Sequence, residues 1–154
     1  MSLLDEVGGG LDGLGQLRAL IASGRKPGIL ISLDLSFVEV EPGRAVFAGM
    51  PGEHAYNPIG SVHGGYAATL LDSACGCAVH SRLSASQGYT TLELKVAYHK
   101  AITSKAGMLR AEGRVISLGR RVAFAEGSLS GANGELYASA TSTLLVFDKT
   151  AQSA

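Results

Sequence analysis

A chain of 154 residues, 46% hydrophobic and 17% charged, suits one globular domain with a single sizeable core and is not a disordered polymer. Thirteen basic and thirteen acidic residues cancel, which removes any global electrostatic case for nucleic acid or an anionic membrane. No apolar run reaches about 18 residues, so no membrane span is expected; Asp5 and Glu6 argue against a signal peptide, and the expected address is the cytoplasm.

Residues 1–27 read as an N-terminal tail followed by a short helix. Gly8, Gly9 and Gly10 make 1–12 a segment expected to fray, and Leu14, Leu17, Leu20 and Ile21 then recur at helical spacing up to Gly24. From Ile29 the period changes to that of strands. Leu33, Leu35, Phe37 and Val40, then Ala45, Val46 and Phe47, flank Glu41-Pro42-Gly43-Arg44, which reads as a β-hairpin with its turn at Pro42-Gly43. Residues 51–62 carry Pro51, Gly52, Pro58 and Gly60 and read as a loop. The helix predicted next, over 64–82, has Ala, Gly, Ser or Cys on nearly every face, so something must wrap it closely. Cys75 and Cys77 lie within it, two apart and on different faces, and cannot easily bridge. Strands are predicted at 89–98, 108–118, 121–129 and 135–147, with turns at Gly119-Arg120 and Asn133-Gly134, and these four are expected to form a meander. Residues 149–154 read as a C-terminal tail. One small-residue helix followed by a run of strands predicts an α+β domain whose antiparallel sheet curls around that helix.

The stretch from Asn57 to Gly65 leads into the helix that contains Asp72. Gly64 and Gly65 leave the unsatisfied N–H groups and positive dipole end of the helix start uncovered by side chains. Such a place can accept negative charge developing on a carbonyl oxygen. Asp72 falls among Ala68, Thr69, Leu70, Leu71, Ala74 and Cys75, where a carboxylate is costly to bury. Taken singly, paired glycines are more often a packing device, a helical Asp more often faces solvent, and a histidine before a helix is more often a cap. Their combination is what points to a site.

The run NPIGSVHGGYAATLLDSA over 57–74 resembles the signature of hotdog-fold acyl-CoA thioesterases of the phenylacetate-degradation and mammalian thioesterase-superfamily-member type. Asn57, Gly60, His63, Gly64, Gly65 and Asp72 stand at the family's spacing, and Thr91–Tyr98 resembles its next strand, which often carries a Ser or Thr assisting the nucleophilic water. The likeness runs from about Gly28 to Phe147. It implies a hotdog domain over 28–148, with an antiparallel sheet wrapped around one long central helix, and an acyl-CoA thioesterase activity. Asp72 would act as general base on a water or as a nucleophile forming a transient anhydride. The Gly64 N–H would polarise the thioester carbonyl, Asn57 would place the water or that carbonyl, and His63 would steady the loop. Thr91 would assist the water, with Thr90 as its alternative. Gly65, Tyr66 and Ile59 are expected beside the substrate, and Tyr56 and Tyr89 are further candidates for an apolar pocket. No metal or redox cofactor is required, since coenzyme A enters as part of the substrate.

Gly64 and Asp72 are eight residues apart, about 12 Å of helix rise. An oxyanion donor and a base must both come within about 3 Å of one reacting centre. One chain cannot easily supply both, so a homo-oligomer, dimer or tetramer, is expected, with the site shared between antiparallel copies of the helix. The phosphates of coenzyme A call for cations; Arg120 and Arg121 are the candidates, with Arg114, Lys100 and Lys105 behind them. His54, His80 and His99 do not form a convincing metal set. Two other functions compete with hydrolysis. One is a non-catalytic acyl-CoA-binding protein, against which Asp72 argues. The other is a hydratase or dehydratase of acyl thioesters, whose usual pairing of a catalytic His with an acidic residue is not found here.

Overall fold

The computed structural model describes residues 1–149. Six strands form one antiparallel sheet: β1 (Leu35–Glu41), β2 (Arg44–Gly49), β3 (Gln87–Tyr98), β4 (Leu109–Leu118), β5 (Val122–Ser130) and β6 (Leu136–Asp148). Their spatial order is β1-β2-β4-β5-β6-β3. The last four strands are therefore not the simple meander expected. β3 lies on the far edge beside β6, and β2 pairs with β4. Alternation tells which face a residue takes, not which strand will be its neighbour, and residues 99–108 are long enough to carry the chain back across the sheet.

The helix of small residues spans Gly64–His80 and is in contact with all six strands. A flat sheet of six strands would be about 24 Å wide, against about 10 Å for a helix, so this contact requires the sheet to curl. Small side chains permit it. Ala67, Ala74, Cys75 and Ala78 are completely buried, and a Cβ at Gly113 of β4 would run into the Ala74 carbonyl. Leu70, Leu71, Leu109, Leu129 and Leu144 fill the space between helix and sheet. This is the hotdog arrangement.

One irregularity of β3 matters below. Its register against β6 slips by one residue between Thr91 and Glu93, which makes Leu92 a bulge.

Three helices precede the sheet: α1 (Leu3–Gly8), α2 (Gly13–Ser23) and α3 (Gly28–Ser32), and the wrapped helix is α4. Residues 1–12 do not fray. Ser2 Oγ accepts the Asp5 N–H at 3.2 Å while Asp5 Oδ2 accepts the Ser2 N–H at 3.1 Å, a capping box that starts α1 before the glycine run is reached. The segment after Pro27, expected to be strand from Ile29, opens with the single helical turn α3, which buries Leu30 and exposes Ile29 and Ile31.

α2 seals the C-terminal end of α4. His80 Nε2 and Gln16 Oε1 are 2.8 Å apart and buried, and the Gly13 N–H donates to the Leu83 carbonyl at 2.9 Å. Burial, with help from the charge of Lys149, pushes the His80 imidazole down to about 4. Of the tail expected at 149–154, Lys149 donates its N–H to the Ser86 carbonyl at 2.8 Å, and 150–154 lie outside the described residues. Among the described residues, no helix is long and apolar enough to cross a membrane.

Candidate active site

The loop 57–63 delivers the chain to α4. Asn57 fastens it: its Oδ1 accepts the N–H groups of Ile59 and Ser61, both at 3.1 Å, and its Nδ2 donates to Ser61 Oγ at 3.0 Å. The His63 N–H then donates to the Ala55 carbonyl at 2.7 Å, and the His63 side chain becomes the N-cap of α4, its Nδ1 accepting the Gly65 N–H at 2.8 Å. That bond fixes the Nε2–H tautomer of a neutral imidazole. The Gly65 N–H is thereby committed inside the chain. Among the described residues, no acceptor takes the Gly64 N–H.

Beside this helix start is a cleft of about 310 Å³ lined by Ser61, His63, Gly64, Tyr98, Lys100 and Ile102. Tyr98, the last residue of β3, donates its hydroxyl to the Gly64 carbonyl at 2.6 Å. Sequence reasoning did not single out this tyrosine, and an aromatic closing an alternating run carries no signal that could have done so.

Two turns further along α4, Asp72 is half-buried, and Thr91 Oγ1 donates to its Oδ1 at 3.0 Å. Thr91, not the exposed Thr90, faces the helix. Among the described residues, Thr91 is the only hydrogen-bond partner of this carboxylate and no cation pairs with it. Its charge adds to burial, the larger cause, in raising the Cys75 and Cys77 thiols to about 12, so both stay protonated. Within one chain the carboxylate and the Gly64 N–H sit on a single unbroken helix, eight residues apart, and do not meet.

The remaining candidates scatter. Ile59 stands out from the loop, 86% exposed, whereas Tyr66 is turned into the core at 2%, its ring edge-on to His54. Tyr89 packs on His80, and the Tyr56 hydroxyl accepts the Ser104 N–H at 2.9 Å. Arg120 and Arg121 are exposed on the β4–β5 turn and, with Gln87 and Phe147, line an open cleft of about 830 Å³ near the C-terminal end of β6. Arg114 and Lys100 are paired with Glu112 and Glu135, both at 2.6 Å. His54 meets the Leu33 carbonyl and His99 meets Ser139 Oγ, so each histidine outside the α4 start has an ordinary partner.

The sequence profile of the thioesterase superfamily matches residues 59–138, which is 80 of 154. The chain belongs to the thioesterase superfamily. The matched span takes in His63, Gly64, Asp72 and Thr91 and stops two residues short of Asn57. Among solved structures, a thioesterase of Haemophilus influenzae superposes with a TM-score of 0.77 at 17% identity, covering 86% of this chain and 91% of that one. A thioesterase-family protein of Silicibacter pomeroyi gives 0.74 at 24% identity, covering 86% and 96%. A Streptococcus mutans protein bound to acetyl CoA gives 0.67 at 26% identity, covering 75% and 90%. These likenesses establish the hotdog fold of the superfamily. No curated protein matches the chain significantly by sequence.

Proposed function

We propose that this member of the thioesterase superfamily hydrolyses an acyl-CoA thioester to a free acid and coenzyme A, at a site shared by two copies of the chain. The observation that carries the reading is the half-buried Asp72 carboxylate, oriented by Thr91 and paired with no cation among the described residues, on the same helix as an uncommitted Gly64 N–H. A binding protein has no use for such a carboxylate. The acetyl CoA held by the Streptococcus mutans relative supports a coenzyme A thioester as ligand.

In the reaction, Asp72 takes a proton from a water whose oxygen attacks the thioester carbonyl carbon. Thr91 keeps the carboxylate turned toward that water. Negative charge moves onto the carbonyl oxygen, where the Gly64 N–H and the positive end of α4 receive it. The C–S bond then breaks, the carbonyl re-forms, and the thiolate of coenzyme A departs and is protonated. Direct attack by Asp72 through an anhydride gives the same products, and ¹⁸O appearing in the Asp72 side chain after a single turnover in ¹⁸O-water would identify that route, since only water attack on the Asp72 carbonyl of an anhydride puts it there. Asn57 and His63 hold the loop that presents the Gly64 N–H. Arg120 and Arg121, which have no carboxylate partner among the described residues, are the cations offered to the phosphates of coenzyme A.

The free sheet edge supports a shared site. β3 is a twelve-residue edge strand, while β1 at the other edge has α2 packed against it. Tyr98 sits at Gly64 and Thr91 at Asp72, so β3 and α4 run antiparallel through the same interval. A second copy adding its β3 antiparallel to this edge brings the two α4 helices side by side in opposite directions. Gly64 of each copy then lies across from Asp72 of the other.

The test is thioester hydrolysis, read with a thiol reagent, against aryl-acetyl, aryl and medium-chain acyl-CoAs, followed by complementation. Asp72→Asn lacks the base, and Asn57→Ala with Gly64→Pro lacks the carbonyl cradle. Random mixing makes about half of the dimers mixed, with one intact site in each, so about a quarter of wild-type activity returns from two parents each down about a hundredfold or more. Activity no higher than the parents' average means that each chain builds its own site. No hydrolysis of any panel member overturns the activity itself.

A further inference from the structure

We infer that Tyr98 is a positioning residue that aims the Gly64 N–H, and that positions 64 and 65 are glycine to admit the two side chains of this clamp rather than to admit substrate. The inference rests on the hydrolase reading above. Two consecutive peptide groups are involved, and between them they own four polar atoms. In the first, joining His63 to Gly64, the carbonyl accepts the Tyr66 N–H at 3.0 Å. In the second, joining Gly64 to Gly65, the carbonyl accepts the Tyr98 hydroxyl at 2.6 Å and the N–H donates to His63 Nδ1 at 2.8 Å. Three of the four are taken within the chain, and the one left is the N–H that the reaction uses.

Space around the glycines decides between the two explanations. If the pair existed to let a thioester approach the backbone, the places where Cβ atoms would sit should be open. They are filled. A Cβ at Gly64 would lie 3.0 Å from Tyr98 Oη and 3.2 Å from its Cζ, and one at Gly65 would lie 2.9 Å from His63 Nδ1. Gly64 is the first residue of α4, at the least secured turn of the helix, and glycine backbone has the widest torsional freedom of any residue, so without the clamp the free N–H would be aimed less firmly. Held at both ends, the second peptide fixes the torsions on its side of the Gly64 Cα, and the Tyr66 bond fixes the other side. Burial raises the Tyr98 phenol, which keeps it a donor.

The experiment uses Tyr98→Phe in the full chain, which removes only the hydroxyl, with steady-state acyl-CoA hydrolysis and backbone amide NMR read side by side. Complete loss of an oxyanion donor costs about a hundredfold to a thousandfold in kcat, so a donor present but poorly aimed should cost about tenfold. The expected result is a kcat about tenfold lower, a KM within about twofold, and a Gly65 amide resonance that shifts and exchanges faster. Gly64→Ala, which pushes on the same ring, should add little on top of Tyr98→Phe. An unchanged kcat, a raised KM at constant kcat, or fully additive losses would overturn the assignment. Should the wild-type protein hydrolyse no thioester, the hydrolase reading falls on its own. An unmoved Gly65 amide in Tyr98→Phe would still overturn the clamp independently.

Discussion

The two ends of α4 are finished in opposite ways. At the C-terminal end Gln16, His80 and Ser81 are buried. Gln16 and His80 meet in the core, and Ser81 Oγ donates to the Ala78 carbonyl at 2.6 Å while accepting the Gly43 N–H at 2.8 Å. Gly13 presses so closely on the His80 carbonyl that no side chain fits between them. At the N-terminal end the bonds lie at the surface, His63 and Gly65 are exposed, and an open cleft adjoins them. A helix secured by burial at one end can leave the other end open to chemistry without losing its place. Substitutions in the candidate site and at the sealed end should therefore separate turnover from stability.

The largest effect is expected from Asp72→Asn, which should lower kcat by about a hundredfold or more while thermal stability and substrate binding stay close to wild type. Wild-type turnover in this variant would remove the carboxylate from the mechanism. Gly13→Ala at the sealed end should do the reverse. Overpacking against the His80 carbonyl should cost about 3 kcal/mol, read as a lowered denaturant midpoint, with kcat per folded molecule retained. A variant that loses turnover in step with stability would mean that the two ends are not separable.

A smaller effect should appear with pH. The His80 imidazole sits near 6.5 when free and about 4 in the fold, so the unfolded chain takes up the proton first as pH falls. The stability contributed by neutral His80 is complete above about 6.5 and erodes on the way down to about 4. Between pH 7 and pH 5 the loss is on the order of 1–2 kcal/mol, visible as a falling Tm. His80→Gln keeps a partner for Gln16 without titrating and should flatten that slope.

Much of the fold was legible because its signals are local. The turn at Pro42-Gly43, the start of α4 at Gly64 and the four later strands follow from turn residues and period alone, and each lies within a few residues of its expected bounds. The helix α1 is also written in the sequence, since Ser2 and Asp5 form a capping box, although the glycines that follow suggest a frayed end. The place of β3 could not be read, because pairing partners are chosen by the packing of the whole sheet. In the candidate site, the glycine pair at a helix start and a carboxylate among apolar neighbours single out Gly64 and Asp72, and the fold then turns Thr91 rather than Thr90 toward Asp72. Tyr66 shows the limit. It adjoins the glycine pair in sequence, yet the helical turn carries its ring to the opposite side, into the core.

Thr91 and Tyr98 are seven residues apart on β3, and both reach α4. In a regular strand, residues an odd number apart point to opposite faces, so no uninterrupted β-strand could hold both contacts. The extra residue at Leu92 resets the phase between them: odd-numbered side chains look toward the helix before it, and even-numbered ones after it. The strand thus works as two rulers of opposite parity joined end to end, one addressing the carboxylate and the other the glycine pair. Leu92 makes neither bond, yet the loss of that single residue would leave Thr91 and Tyr98 in the sequence and turn one of them away from the helix.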